Sequence, residues 1–351
     1  MSTWDGIPYA RPVGIRFHVA GSDEIAEKSY AAVLERDTTD GDRPRAGGPD
    51  DLHMGTTDSK YACETCHRSK QDCLGHIGRI TLRYPVLNPI TIENIVRWLK
   101  IVCHNCSRLL VSASHYKHMP IEKRFAAILA AASRVSSRTC SYCNTAQMTI
   151  LRKSPTEKPT KIVGKDGGTK VTLYPHIIEG ILSKITDADI IGVLGSTASH
   201  PRNFVLRHII VPPVPTRPAV RKANGAKTTN DDITQLIQVI VSANASLPET
   251  IPQRITEDMS KYIYNLNSHV YGMIRGSATS GAARSQAVTL KGKFGEIRSF
   301  LLGKRVFNVA RSTIVGDPSI PINGLGVPLH FARTIEIEEA VQPHNRVRLL
   351  G

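Results

Sequence analysis

The stretch CETCHRSKQDCLGHIG, residues 63–78, sets out Cys63-x2-Cys66-x6-Cys73-x2-His76, four ligand-type side chains within 14 residues. A two-residue gap lets consecutive ligands reach one ion, and thiolates with an imidazole suit tetrahedral zinc. Gly75 and Gly78 free the backbone to wrap around it. Cysteines buried only as small hydrophobes would not require two such gaps. His53 and His67 lie close by and read as bystanders. With all four positions taken by protein, none is open to water, which makes the site structural rather than catalytic.

Moving outward, Cys103-x2-Cys106 and Cys140-x2-Cys143 are separated by 33 residues. Apolar positions 92, 95, 96 and 99 within Ile90–Ile101, and Phe125, Ile128 and Leu129 within Ile121–Ala132, predict two helices. As an antiparallel hairpin they would bring the cysteine pairs together at its base, in a four-cysteine site. Two separate redox C-x-x-C motifs, or pairing with His104, His115 or His118, are the competing readings. The seven cysteines fall in three C-x2-C pairs and one C-x2-H. The opening MSTWDGIPYARP lacks a secretory pattern, so a disulfide framework fits poorly.

Further helices are predicted over Ser22–Leu34, with Ser22 as cap, and over Pro175–Ile185, Asp231–Ala243 and Glu257–Met273. Thr38–Asp51 reads as a loop, Ser154–Gly168 as an exposed turn or hairpin tip and Gly276–Gln286 as a Gly/Ser/Ala-rich loop. VPPVPTRP, residues 211–218, has four prolines in eight residues and reads as extended, polyproline-like chain. No stretch approaches the roughly 18 apolar residues of a membrane span, so the expectation is a soluble, intracellular protein without a membrane partner.

The formal charge is +15 and it is local. The first 60 residues hold eleven Asp/Glu against seven Lys/Arg, whereas Pro201–Asn230 holds six Lys/Arg and no acid. RSQAVTLKGKFGEIRSFLLGKRVFNVAR, residues 284–311, carries seven Lys/Arg against one Glu, with Gly292, Gly295 and Gly303 between them. A cradle for a nucleic-acid backbone accounts for both features; a solvated face around a buried strand is the plainer alternative. Asp187 with Asp189 reads as a solvated pair at a helix edge, and Asp231 with Asp232 as an N-terminal cap, rather than as metal ligands.

In this order the features resemble the N-terminal part of the largest subunit of multisubunit RNA polymerase, of eukaryotic and archaeal type. GGPDDLHMG (47–55) and CETCHRSKQDCLGHIG (63–78) are similar to the first zinc loop of that family. Cys103, Cys106, Cys140 and Cys143 match its second zinc at the base of the clamp head. VPPVPTRPAV (211–220) resembles the strand before its lid, LKGKFGEIRSFLLGKRVFNVARSTIVGDP (290–318) its switch segment, and LGVPLHFA (325–332) continues the match. Leu74 stands where the family has proline, and Phe307-Asn308 where an Asp-Phe-Ser run is typical.

The resemblance implies an α+β clamp core and clamp head with two structural Zn2+ ions, long helices and irregular extended segments. Its divisions would be 1–102, clamp core with the first zinc loop; 103–170, clamp head; 171–283, clamp core with lid and rudder; and 284–351, switch segment and the start of strands near the active site. Lys291, Lys293, Arg298, Lys304, Arg305 and Arg311, with Arg221 and Lys222, would contact the template strand or the RNA:DNA hybrid, mainly through phosphates. The lid would lie around Arg221–Asn230 and the rudder around Gly276–Gln286. The family's NADFDGD loop, which holds catalytic Mg2+, does not occur in the sequence. It is expected in the remaining part of the largest subunit, on a separate chain or in a missing C-terminal portion, as in a split subunit of a large DNA virus. The second-largest and smaller subunits would be further partners, in a nucleus or, for a virus, in the virion or host cytoplasm. A free-standing zinc-containing nucleic-acid-binding regulator is the rival reading, and a metalloenzyme is disfavoured by the closed sites.

Overall fold

The computed structural model describes residues 3–4, 7–8, 13–14, 17–134, 139–151, 162–166, 168–221, 228–250, 255–276, 285–336 and 338–350. The chain divides into two compact units, residues 1–289 and 290–351.

In the first unit β1 (Thr3–Trp4) pairs with β2 (Ile7–Pro8), and α1 (Ser22–Lys28) leads to β3 (Ala31–Ala32) and a small hairpin of β4 (Thr39–Asp40) and β5 (Arg43–Pro44). Then come β6 (Gly78–Leu87), α2 (Ile92–Ile101), α3 (Ile121–Arg134), β7 (Thr149–Leu151), β8 (Ile162–Asp166), β9 (Thr169–Leu173), α4 (Pro175–Ser183) and α5 (Asp187–Leu194). β10 (Val205–Val211), β11 (Val220–Arg221), β12 (Thr228–Thr229), α6 (Asp232–Ala245), α7 (Glu257–Arg275) and α8 (Gln286–Leu290) follow.

β6 is the spine of the first unit. Its neighbours are β10, antiparallel from Val205↔Leu87 to Val211↔Gly78, and β3, parallel at Ala31↔Gly78. Along it Ile80, Leu82 and Tyr84 are buried while Thr81 and Arg83 are exposed, the period-two pattern of a sheet with one face covered, and from Tyr84 to Leu87 every residue is buried. α6 and α7 cover that face with Ile237, Ile240, Leu266 and Val270. Both helices start on side-chain caps: Asp231 accepts from the Ile233 amide and Thr256 from the Met259 amide. Beyond the two residues paired with β3, Asn244 closes the edge of β6. Its Oδ1 accepts from Arg83 N at 2.9 Å and its Nδ2 donates to Thr81 O at 2.9 Å.

A second core lies around α2, α3, α4, α5 and the sheet β7-β8-β9. Trp98 of α2 is fully buried and meets Phe125 of α3 edge-on, ring centroids 5.3 Å apart. Ile95, Leu99 and Ile128, read from the sequence as inner-face residues, are buried in this core, whereas Trp98 is not among the positions read for its helix.

Several local expectations change. Ser22 is the first residue of α1 rather than its cap; its hydroxyl accepts from Arg207 N at 3.1 Å and ties α1 to β10. Thr38–Asp51 contains the β4-β5 hairpin. Val211–Pro218 is not extended throughout, since Val211 ends β10 and Val214–Thr216 is a 3-10 turn. Proline tolerates a first helical turn because the amide it lacks would have no partner there.

In the second unit the described residues form a π-helical turn (Ile297–Leu301), α9 (Leu329–Thr334) and α10 (Arg346–Leu350), and no strand. None of the strands that the resemblance implies for 284–351 occurs among the described residues of this unit. Among its described residues only Gly295 and Asn345 are buried. Asn345 binds Glu339 Oε1 and Ala340 O, each at 3.0 Å, and Arg348 pairs with Glu339 at 2.7 Å. Its apolar side chains, such as Phe294, Leu301, Phe307, Ile314 and Ile322, face solvent. Among the described residues no helix is long and apolar enough to cross a membrane.

Candidate metal centres and basic surface

Three of the two-residue cysteine gaps fold into the same knuckle. Cys63 N donates to Arg68 O (3.1 Å), Cys103 N to Arg108 O (2.8 Å) and Cys140 N to Thr145 O (3.0 Å). Within each loop the amide after the second cysteine returns to the first cysteine's carbonyl: His67 to Cys63, Ser107 to Cys103 and Asn144 to Cys140. Those three residues take φ values of 57°, 59° and 53°, so each knuckle turns on a left-handed residue. The conformation directs both thiols of a pair to one side.

In the first cluster Cys73 N donates to Ser69 O (2.9 Å), and His76 N to Met54 O (3.1 Å). Tyr30 packs on the His76 ring at 4.9 Å between centroids. One ligand atom from each of Cys63, Cys66, Cys73 and His76 falls within 4.8 Å of the others. His76 Nε2 is buried and has no hydrogen-bond partner. A buried imidazole nitrogen left unpaired is costly, and a cation among the three thiols would satisfy it. The adjacent His76 ring draws the Cys66 thiol down to about 6, whereas burial pushes Cys73 up to about 11.

The second cluster draws Cys103, Cys106, Cys140 and Cys143 together by the same measure. Cys103 Sγ is 3.5 Å from Cys143 Sγ, and Cys106 Sγ is 3.7 Å from Cys140 Sγ. A disulfide needs about 2.05 Å, while sulfurs bound at about 2.3 Å to a tetrahedral ion stand about 3.8 Å apart. All seven cysteines are free thiols, and the close approaches run between motifs rather than within them, unlike a redox C-x-x-C pair. The surroundings of the thiols are partly built: Gln147 Nε2 donates to Cys103 Sγ at 3.2 Å and Tyr142 N to Cys140 Sγ at 3.5 Å. Thr145, whose hydroxyl lies 3.3 Å from Cys143 Sγ, brings that thiol down to about 6, and burial raises Cys106 to about 12. His104 is turned away, its Nε2 donating to Leu99 O at 2.8 Å. His115 and His118 are outside the cluster.

Lys291, Lys293, Arg298, Lys304, Arg305 and Arg311 are all exposed in the second unit, and none forms an ion pair with a described residue. Arg221 is placed by its backbone in β11; its side chain and Lys222 lie outside the described residues, as does 277–284 of the expected rudder. Asp187 and Asp189 sit in the first turn of α5, and Asp231 caps α6 as read from the sequence. Sequence reasoning missed Tyr30, Met54 and Gln147 as supports of the clusters. Only spatial proximity marks them, and no spacing signal points to it.

The family profile described as RNA polymerase Rpb1, domain 1, matches residues 12–301, and that for domain 2 matches residues 303–350. The chain is 31% identical over 363 residues to a DNA-directed RNA polymerase RPB1 homolog of African swine fever virus, covering 97% of this chain and 25% of the relative. It is 32% identical over 360 residues to the polymerase subunit Rpo1N of Methanocaldococcus jannaschii, covering 95% of this chain and 26% of the relative. With Rpo1N of Sulfolobus acidocaldarius it shares 29% identity, over 96% of this chain and 40% of the relative. It thus spans a quarter to two fifths of these relatives. The two profiles follow one another along the chain in domain order, and the chain belongs to the Rpb1 family of RNA polymerase largest subunits, matching its domain 1 over residues 12–301 and its domain 2 over residues 303–350.

Proposed function

We propose that this chain is the clamp portion of a DNA-directed RNA polymerase, holding DNA and the RNA:DNA hybrid in an assembly whose nucleotidyl transfer takes place on residues outside it. The observation that carries this reading is the character of residues 290–351. Six cations stand free beside solvent-facing Phe294, Leu301, Phe307 and Ile314, in a unit with almost no interior of its own. Such a segment gains stability only when neighbouring protein covers its apolar side chains, and its cations then line a surface suited to phosphates. The same exposure counts against a free-standing regulator, which would bury these groups.

Both clusters are assigned to structural zinc, held by Cys63, Cys66, Cys73 and His76 and by Cys103, Cys106, Cys140 and Cys143. The soft donor sets and the sulfur spacing support zinc over magnesium or calcium, which prefer oxygen. When bound, the ion supplies cross-linking in place of chemistry. Lys291, Lys293, Arg298, Lys304, Arg305 and Arg311 would contact phosphates of template or hybrid, with Arg221 and Lys222 near the upstream end. Catalytic magnesium would belong to the rest of the largest subunit, across from the second-largest subunit.

The test is photo-crosslinking in the assembled polymerase, with a probe at position 293 or 304 and a scaffold of template DNA paired to RNA. Crosslinks to the hybrid-forming strand support the assignment. Crosslinks confined to protein would refute it.

A further inference from the structure

The Val211–Pro218 run is gripped from two sides. On one side is the loop of the first cluster. Gly75 (φ 86°) runs so close to it that a Cβ added there would lie 2.5 Å from Pro213 Cβ. At Gly55 (φ 106°) an added Cβ would lie 3.0 Å from Pro215 Cδ and 3.2 Å from Gly75 Cα. No side chain larger than hydrogen fits at either position, so two prolines rest directly on the backbone that carries Cys73 and His76.

On the other side is Arg217, whose side chain has no exposed surface. Its Nε donates to Pro212 O at 3.0 Å, its Nη1 to Asp50 Oδ1 at 3.0 Å and to Thr234 Oγ1 at 2.9 Å, and its Nη2 to Pro49 O. Pro49 and Asp50 lead into the turn Leu52–Met54, and Met54 O accepts the His76 amide. The circuit is closed: cluster loop, prolines 213 and 215, Arg217, residues 49–54 and back to the cluster. β11 begins at Val220, three residues beyond Arg217, and Thr234 lies in α6 just after β12.

We infer that the first metal centre is the abutment of a strut, Pro212–Arg217, that fixes where the β11–β12 pair leaves the body of the protein. Pro213, Pro215 and Arg217 are positioning residues for that pair. The second cluster has no part in it, because it adjoins the other core through Val102 and Leu109. The inference rests on the assignment of a cation to the first cluster, though not on the polymerase reading. Coupling of this kind is reciprocal: whatever bound cation does to hold the strut, an intact strut does to hold the cation.

The experiment uses the full chain loaded with zinc and titrated with a chelator. Native mass spectrometry counts the ions, and hydrogen exchange follows peptides covering 63–76, 103–108, 162–173 and 212–234. Loss of the first ion is expected to raise exchange in 212–221 and 228–231 by about tenfold or more, a typical coupling, without changing 162–173. In Pro213→Gly/Pro215→Gly the first ion should be released at roughly tenfold lower chelator while the second is unaffected. Arg217→Lys, which keeps charge and loses the fork, should act in the same direction and guards against a proline variant that fails to fold. Two results overturn the inference: a first ion lost with no change in 212–231, or a change equal in every peptide. If the first cluster never binds zinc at all, the cation assignment fails as well, which the ion count reveals directly.

Discussion

Cys103 Sγ lies 3.5 Å from Cys143 Sγ, an approach between residues 40 apart in sequence. α2 ends at Ile101 immediately before one pair, and the other follows α3 after Arg134, so the helix pair packed through Trp98 and Phe125 delivers both knuckles to one point. The first cluster is local and sits against the other core through Met54, with Tyr30 packed on the His76 ring. Two clusters on two cores lead to separable consequences.

Replacing Cys63 or Cys66 by Ser should destabilise the N-terminal third, including β3 and residues 49–55, by several kcal/mol, since ion binding is coupled to folding. Replacing Cys103 should instead loosen α2 and α3. Limited proteolysis with peptide mapping reads the difference; a Cys63→Ser protein with wild-type melting and cleavage contradicts the assignment.

Ser107 is buried in a left-handed turn, and its hydroxyl is without a partner. Glycine removes both costs, so Ser107→Gly should raise stability by about 1 kcal/mol, while Ser107→Val should lower it by at least as much. Urea unfolding of the zinc-loaded protein measures both.

Acid should weaken the fold from about pH 6.5 downward. Burial holds His200 and His176 below the ordinary histidine value. Their neutral rings are used: His200 Nδ1 accepts from Arg202 N at 3.1 Å, and Tyr84 Oη lies 2.7 Å from His176 Nδ1. A depressed histidine pKa means the unfolded chain takes up protons first as pH falls, so stability is complete above the unfolded value of about 6.5 and declines below it. His200→Asn, which keeps a capping acceptor, should flatten part of this slope in denaturation midpoints taken between about pH 7.5 and 5.5. An unchanged slope would show that His200 is not among the groups responsible.

Lys291→Ala combined with Arg305→Ala should leave melting unchanged, because both side chains are exposed. Nucleic-acid affinity should fall, and the slope of log K against log salt should shrink by about 0.9 for each phosphate that is no longer neutralised. Fluorescence anisotropy across a salt series checks this, and an unaltered slope sinks the phosphate assignment.

The sequence made the ligand sets and the helices legible because their signals are local: two-residue gaps, 3.6-residue apolar spacing, and Asp at a helix start. Joining Cys103–Cys106 to Cys140–Cys143 needed one further step, the hairpin of α2 and α3. What it left hidden is long-range. Nothing near Arg217 announces Asp50, 167 positions away, and nothing near Gly75 announces Pro213. Ser22 reads as a cap from its neighbours alone, and its engagement with Arg207 depends on the sheet. The strands that the resemblance implies within 284–351 do not occur among the described residues, and a strand is a property of two segments rather than one.

The most direct test of the central claim is purification of the tagged chain from its native source, with mass spectrometry of the proteins and metal that accompany it. The expected result is a multisubunit assembly that includes an NADFDGD-type aspartate loop, with two zinc ions per chain. A monodisperse chain recovered alone, stable and still binding nucleic acid, would contradict it.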